Sequence, residues 1–361
     1  MRKMISDFFV DHPSIKVIGT ARNGKDAIKK IQMLKPDVVT MDVEMPEMNG
    51  LESLKVIMKE CPVPVVMLSS TTKSGAKITL EAMASGAVDF ITKPSGPISL
   101  DLQKIQSDLI RIVENAATVH VSKLRHAAHM DVGRTTSPIE KVSTISNNAH
   151  IVENNLREVN VKHSVKWDSH SKKIVLIGTS TGGPRALQEV ITRLPQNIPA
   201  PILIVQHMPA GFTKSLANRL DQLSKITVKE AEQGDILQAG VAYIAPGDFH
   251  LHIRKIGMSY GIELDKSEPP RGGHRPSVDV MFEDISNYND FDKIAVIMTG
   301  MGSDGAKGLQ ALKNKGNVIA ISESAETCVV YGMPKSAYAT GLVDEVADVD
   351  DISNIIMKYL P

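Results

Sequence analysis

Short β-branched runs alternate with helix-like stretches along most of this chain, and that alternation admits few folds beyond parallel sheets covered by the intervening helices. In the first series Lys16 to Ala21, Asp37 to Val43, Pro64 to Ser70 and Ala87 to Thr92 read as strands. Helices are expected near residues 24–34, 50–59, 75–85 and 98–114, with a helix remnant ahead of the first strand. Residues 116–171 lose the period, carry six of the eleven histidines, and set seven Lys and Arg against five acidic side chains. They read as a flexible linker, because irregular histidine spacing suits a solvated spacer better than a metal tract. The alternation resumes at Lys172, so the chain divides into a domain over 1–115, the linker over 116–171 and a second domain over 172–361.

Charge and cysteine content narrow the function classes. Basic and acidic side chains balance at 41 each, so no global charge favours nucleic acid or an anionic membrane as partner. No apolar run reaches the roughly 20 residues of a membrane span, and Met1 to Val10 lacks the pattern of a secretory signal. With only Cys61 and Cys328, far apart in sequence, a reducing cytoplasm is the expected compartment.

Chemistry concentrates at three strand ends of the second domain. Gly178-Thr-Ser-Thr-Gly-Gly-Pro184 follows the apolar run Lys173 to Ile177 and precedes a helix-like stretch from Arg185 to Leu194. Glycines permit turn dihedrals closed to other residues, which puts Ser180 in a nucleophile's position, and the segment satisfies the G-x-S-x-G pattern. Gln206-His207-Met208-Pro209 follows the strand Pro201 to Val205, and Thr299 to Gly305 follows the strand Lys293 to Met298. Open parallel sheets bind ligands at carboxyl strand ends. Ser180, His207 and Asp304 therefore converge on one edge as nucleophile, general base and orienting carboxylate. The backbone amides of Thr181 and Met301 are the candidate oxyanion donors.

Each residue taken alone has a plainer reading. Ser180 and Asp304 each precede a helix and fit its cap, and His207 fits a hydrogen-bonded turn. The glycine turn lacks the lysine of a phosphate-binding loop. His250 and His252 face one way on a strand-like run, but without a Cys or carboxylate to complete a metal set they are read as structural. His274 is a rival base or a polar wall, and Cys328 a rival nucleophile without an adjacent base. A non-enzymatic binding module stays open as the alternative to an enzyme. A DNA-binding regulator is disfavoured, because no basic helix-turn-helix follows residue 171.

Gly178 to Leu187, Gln206 to Pro209, Ala245-Pro246-Gly247, Arg275 to Asp279 and Thr299 to Gly305, in the order Ser, His, Asp, resemble the chemotaxis protein-glutamate methylesterases. The resemblance implies a Rossmann-like doubly wound α/β domain that hydrolyses glutamyl methyl esters on chemoreceptors, releasing methanol, and also deamidates receptor glutamines. It assigns the triad to Ser180, His207 and Asp304 and the oxyanion donors to Thr181 and Met301, with no cofactor for the esterase.

The first domain resembles a flavodoxin-like response-regulator receiver, phosphorylated by the chemotaxis histidine kinase. Met41 to Gly50 matches the phosphoacceptor strand end with Asp42 as acceptor, Ser69 the switch hydroxyl, Phe90 the aromatic switch, and Lys93-Pro94 the lysine with its cis-prone proline. The sequence departs from that pattern at its start: the first strand, with the acidic pair that binds Mg²⁺, does not appear ahead of the remnant helix. Asp42 and the Glu44 carbonyl alone fall short of an octahedral Mg²⁺ site. The expectations are a partly disordered receiver whose sheet re-pairs or melts, activity independent of phosphodonor, and a true start upstream of Met1, with a genuinely shortened regulator as the competing explanation. In the family the unphosphorylated receiver covers the esterase site.

Overall fold

The computed structural model describes residues 2–93, 99–120, 167 and 171–360. The first domain holds a three-stranded parallel sheet of β1 (Val39–Asp42), β2 (Val65–Ser69) and β3 (Asp89–Thr92), in that order. Helices α1 (Arg2–Asp7), α2 (Gly24–Leu34), α3 (Gly50–Glu60), α4 (Lys73–Ala84) and α5 (Ser99–Ala117) accompany it. Helix starts are written locally. Asn49 caps α3 through a capping box with Glu52, Asn23 caps α2, and Thr72 caps α4.

One expected strand is absent. Lys16 to Ala21 takes no strand structure, and Val17 and Ile18 stay 42% and 48% exposed. A strand exists only by hydrogen bonding to a neighbour, and among the described residues β1 pairs with β2 alone. Helix α5 also runs to Ala117, into the segment read as linker. Of that linker, residues 121–166 and 168–170 lie outside the described residues, as does Pro94.

The second domain is built on seven parallel strands in the order β12-β11-β10-β4-β5-β7-β6. These are β4 (Lys172–Thr179), β5 (Ile202–Gln206), β6 (Thr227–Glu230), β7 (Val241–Ile244), β10 (Phe291–Ile297), β11 (Val318–Glu323) and β12 (Glu345–Ala347). An antiparallel hairpin, β8 (His250–Ile256) and β9 (Ser259–Asp265), stands apart from this sheet. Helices α6 (Gly183–Ile191), α7 (Phe212–Leu223), α8 (Val278–Ile285), α9 (Ala306–Lys315), α10 (Met333–Tyr338) and α11 (Val349–Lys358) complete the domain.

Strands covered on both faces read as unbroken apolar runs, and the period of two then sorts their residues between two cores. Val175, Ile177, Ile202, Ile204, Ile294 and Val296 enter one cluster, while Ile174, Leu176, Leu203, Val205, Ala295 and Ile297 enter the other. The first cluster is continuous with receiver residues such as Leu80, Met83 and Phe90, so the two domains share packing on that face. Phe90 stacks on Phe212 at the start of α7, ring centroids 4.6 Å apart and 23° between planes, an arrangement that contributes about 0.5–1.5 kcal/mol beyond burial.

The strand order reverses beside β4, whose neighbours β10 and β5 lead to opposite wings of the sheet. That switch point opens a crevice at the carboxyl ends of the three adjacent strands. Beneath it Glu323, the last residue of β11, is 1% exposed and accepts from the Thr299 N–H at 2.8 Å and the Thr327 hydroxyl at 3.0 Å. Burial outweighs these two donors and raises its carboxyl to about 7.

A carboxyl whose folded pKa exceeds its ordinary 4.5 binds its proton more tightly in the native state. The native state therefore loses stability as pH climbs from about 4.5 to about 7 and levels off above. In thermal melts of Glu323→Gln this decline should flatten, leaving the variant roughly 5 °C closer to, or above, wild type at pH 8 than at pH 5. Parallel pH profiles of the two proteins would contradict it.

Candidate active site

The turn that carries Ser180 begins where β4 ends. Gly182 takes φ +79°, a left-handed conformation, and lets the chain swing from strand into α6, where Pro184 occupies the first turn. Ser180 sits on this turn, 9% exposed, its N–H donating to the Thr299 carbonyl at 3.0 Å. The turn is thereby tied to the end of β10.

His207 follows β5 directly. The Ser180 hydroxyl lies 3.1 Å from His207 Nδ1, and His207 Nε2 lies 2.8 Å from Asp304 Oδ2. For Nδ1 to accept the serine proton, the neutral ring must carry its hydrogen on Nε2, where Asp304 accepts it. The ring is used in the sense opposite to chymotrypsin, whose Nε2 faces the serine. The side chains of His207 and Asp304 are 5% and 10% exposed, so the pair is shielded from water.

Asp304 is the most heavily bonded group of the site. Oδ1 accepts from the Ser277 hydroxyl at 2.8 Å and the Asp279 N–H at 2.9 Å, and Oδ2 from the Val278 N–H at 2.7 Å as well as from His207. The carboxylate thus rests on the N-terminus of α8, where the helix dipole also favours negative charge. Burial works to raise its pKa, but His207 and the Asp279 and Val278 amides outweigh it and hold the group well below the usual carboxylate range.

Asp279 returns the contact. Its Oδ1 accepts from the Gly305 and Gly308 N–H groups at 2.8 and 2.7 Å, so α8 and α9 each receive a carboxylate from the other's entry segment. Gly308 must be glycine for this approach, because a Cβ there would stand 2.6 Å from Phe282 Cβ and 3.0 Å from the Asp279 backbone.

His274 packs face to face on His207. Its ring lies flat on that of His207, centroids 3.8 Å apart and 5° between planes. Burial first, and the His207 ring second, push its imidazole down to about 3, which leaves it neutral across ordinary pH. The backbone amides of Thr181 and Met301 donate to no acceptor among the described residues, while both flank the Ser180 side of the crevice in sequence. Cys328 is fully buried near the Glu323 carbonyl, at 4.0 Å, away from the His207 pair.

His252 departs from its expected isolation from carboxylates. Its Nδ1 is 3.3 Å from Asp284 and its Nε2 3.9 Å from Glu268, and with Asp265 and Glu268 it forms the three-ligand cluster found among the described residues. These carboxylates arrive from β9, the following loop and α8, which no local spacing in the sequence announces. His250 is instead buried, with Nε2 against the Pro269 carbonyl at 3.2 Å.

In the receiver, Lys93 Nζ meets Asp42 Oδ1 at 2.6 Å, and the Glu44 N–H donates to the same oxygen at 2.9 Å. The Ser69 hydroxyl does not turn to Asp42; it donates to the Ser70 carbonyl and accepts from Thr79 at 2.6 Å. No cluster of three ligands gathers around Asp42 and Glu44 among the described residues, so the residues present do not fit Mg²⁺. Asp89, which the sequence did not flag, accepts from the Thr181 hydroxyl at 2.5 Å and so reaches from the receiver to the residue after Ser180.

Residues 175–356 match the model of the CheB methylesterase family, and residues 1–104 that of the response regulator receiver domain. A protein-glutamate methylesterase/protein-glutamine glutaminase of Geobacillus kaustophilus is 51% identical over 361 residues, covering 100% of this chain and 95% of that one. The Bacillus subtilis protein of the same name is 47% identical over 353 residues, 98% of this chain and 93% of the relative. The solved catalytic domain of the Thermotoga maritima CheB methylesterase aligns with a TM-score of 0.50 at 48% identity, over 52% of this chain and 98% of that one. A receiver sheet joined to a Ser, His, Asp edge, matched along nearly its whole length by these relatives, places the chain in the family of chemotaxis response-regulator protein-glutamate methylesterases.

Proposed function

We propose that the crevice hydrolyses glutamyl methyl esters on the cytoplasmic helices of chemoreceptors, with Ser180 as nucleophile, His207 as general base and Asp304 as the carboxylate that orients it. The observation that carries this reading is the unbroken line from the Ser180 hydroxyl through both nitrogens of His207 to Asp304. The serine hydroxyl attacks the ester carbonyl carbon as its proton passes to His207 Nδ1, and Asp304 stabilises the imidazolium without taking a proton itself. The tetrahedral oxyanion is received by the Thr181 and Met301 amides. Collapse expels methoxide, protonated by His207 to methanol, and leaves an acyl-enzyme. Water, deprotonated by the same imidazole, then releases the glutamate carboxylate and restores Ser180. A glutamine side chain runs through the same steps with ammonia as leaving group, which agrees with the double name of the relatives.

The receiver acts on this site as a cover. Helix α4 packs against α6 and α7, Phe90 against Phe212, and Asp89 on the Thr181 hydroxyl. Phosphoryl transfer to Asp42 from a chemotaxis histidine kinase would need a Mg²⁺ site that the residues present do not form, so phosphodonor is expected to leave the closed and open populations as they are. Both partners, kinase and receptor, are met in the cytoplasm.

Methanol release from methylated chemoreceptor tests the esterase reading: Ser180→Ala should fall to background, and retention of wild-type release would overturn it. Asp304→Asn should cost about 10³–10⁴ in kcat, since an amide presents N–H groups where a carboxylate holds the imidazole; a loss under tenfold would contradict its role. Asp89→Ala should raise basal release several-fold without phosphodonor, whereas an unchanged or lower basal rate would argue against a covering receiver.

A further inference from the structure

We infer that Gln206 is a positioning residue for the oxyanion donor: its buried side-chain amide fixes the peptide plane whose N–H belongs to Thr181. The inference rests on the esterase reading and deepens it. Gln206, the last residue of β5, is 2% exposed, and its Nε2 donates to the Ser180 carbonyl at 2.9 Å and to the His207 carbonyl at 3.2 Å. The Gly183 N–H donates to the same Ser180 carbonyl at 2.8 Å.

The Ser180 carbonyl and the Thr181 N–H share one peptide unit. Among the described residues the cis peptide bond is Arg275-Pro276, so the Ser180-Thr181 unit is trans and its C=O and N–H point in opposite directions. Holding the carbonyl toward Gln206 and Gly183 therefore aims the Thr181 N–H the other way, out of the turn. The two hydrogens of one amide also join the backbone of the nucleophile to that of the base, 27 residues apart in sequence.

The other half of this amide shows that the arrangement is kept against stability. Gln206 Oε1 is buried and has no hydrogen-bond partner among the described residues. An unsatisfied buried acceptor destabilises the fold, because it gives up water and gains no partner. Turning the amide over would not relieve it, because Oε1 would then face two carbonyl oxygens. Gly183 makes room for the group: a Cβ there would lie 2.0 Å from Gln206 Oε1 and 2.4 Å from Thr179 Oγ1. Gly183 is the first residue of α6, where a glycine carries little of the cost it has in a helix interior. The orphaned acceptor and the glycine at the helix entry serve the same amide.

The test uses the full chain and two substitutions. Gln206→Met removes the donor at nearly constant volume, and Gly183→Ala pushes the intact amide off the Ser180 carbonyl. Loss of a whole oxyanion donor costs about 10²–10³ in kcat, so a misaimed one should cost about 10- to 100-fold. KM for methylated chemoreceptor should stay within about twofold, because aim matters only once the oxyanion forms. The melting temperature of Gln206→Met should hold or rise, since the orphaned oxygen is gone. A purely structural role predicts the reverse, a lower Tm with kcat and KM both disturbed.

A kcat within twofold of wild type in Gln206→Met overturns the inference, as does activity lost in both variants only together with the native melting transition. A Ser180→Ala arm separates the two levels: methanol release surviving there would defeat the esterase reading itself, whatever Gln206 does.

Discussion

The Asp304 carboxylate on the entry turn of α8 is the contact on which the rest of the site depends. One group accepts from two helix amides, the Ser277 hydroxyl and the His207 ring. Each donor stabilises the ionised form, and together they overcome the cost of burying it. An ionised Asp304 fixes which nitrogen of His207 carries hydrogen, and that choice leaves the lone pair of the other nitrogen facing Ser180. Asp279, which ties Gly305 and Gly308 back to α8, holds the loop bearing Asp304 in register with the helix that receives it.

Much of this geometry is legible in the sequence, and for a definite reason. In a parallel sheet the residue after each strand lands on one edge, so Ser180, His207 and Asp304 needed only correct strand ends to be brought together. Those ends were marked by unbroken β-branched runs and by glycines. The second layer of the site was not legible in this way. Gln206, Asp279 and Glu323 act across gaps of 24 to 29 residues on groups that no local period connects to them. The Arg275 to Asp279 segment carried a hint, since Ser277 stands where a helix cap would, but its service to Asp304 appears only when α8 is placed. Lys16 to Ala21 shows the opposite failure: β propensity was present, and a pairing edge was not.

The interface between domains explains why a soluble-looking receiver surface is apolar along α4. Leu80 and Met83 join the cluster that also contains Leu187, Leu216 and Leu220 of the esterase domain. That packing carries Asp89 to Thr181 and places a receiver carboxyl beside the turn that holds Ser180. Burial raises the Asp89 carboxyl above its usual range, with the Thr181 hydroxyl and the Phe90 amide opposing. On the proposed reading, receiver cover and a receiver carboxyl act at one place, the residue following Ser180.

On the proposed reading, the hydrogen-bonded line through His207 to Asp304 activates Ser180 and no other serine. Labelling the native chain with a fluorophosphonate and mapping the adduct by mass spectrometry tests it most directly. The account predicts a single phosphonylated peptide containing Ser180, with labelling suppressed in His207→Ala and in urea. An adduct on another residue, or equal labelling of Ser180 without His207, would contradict it.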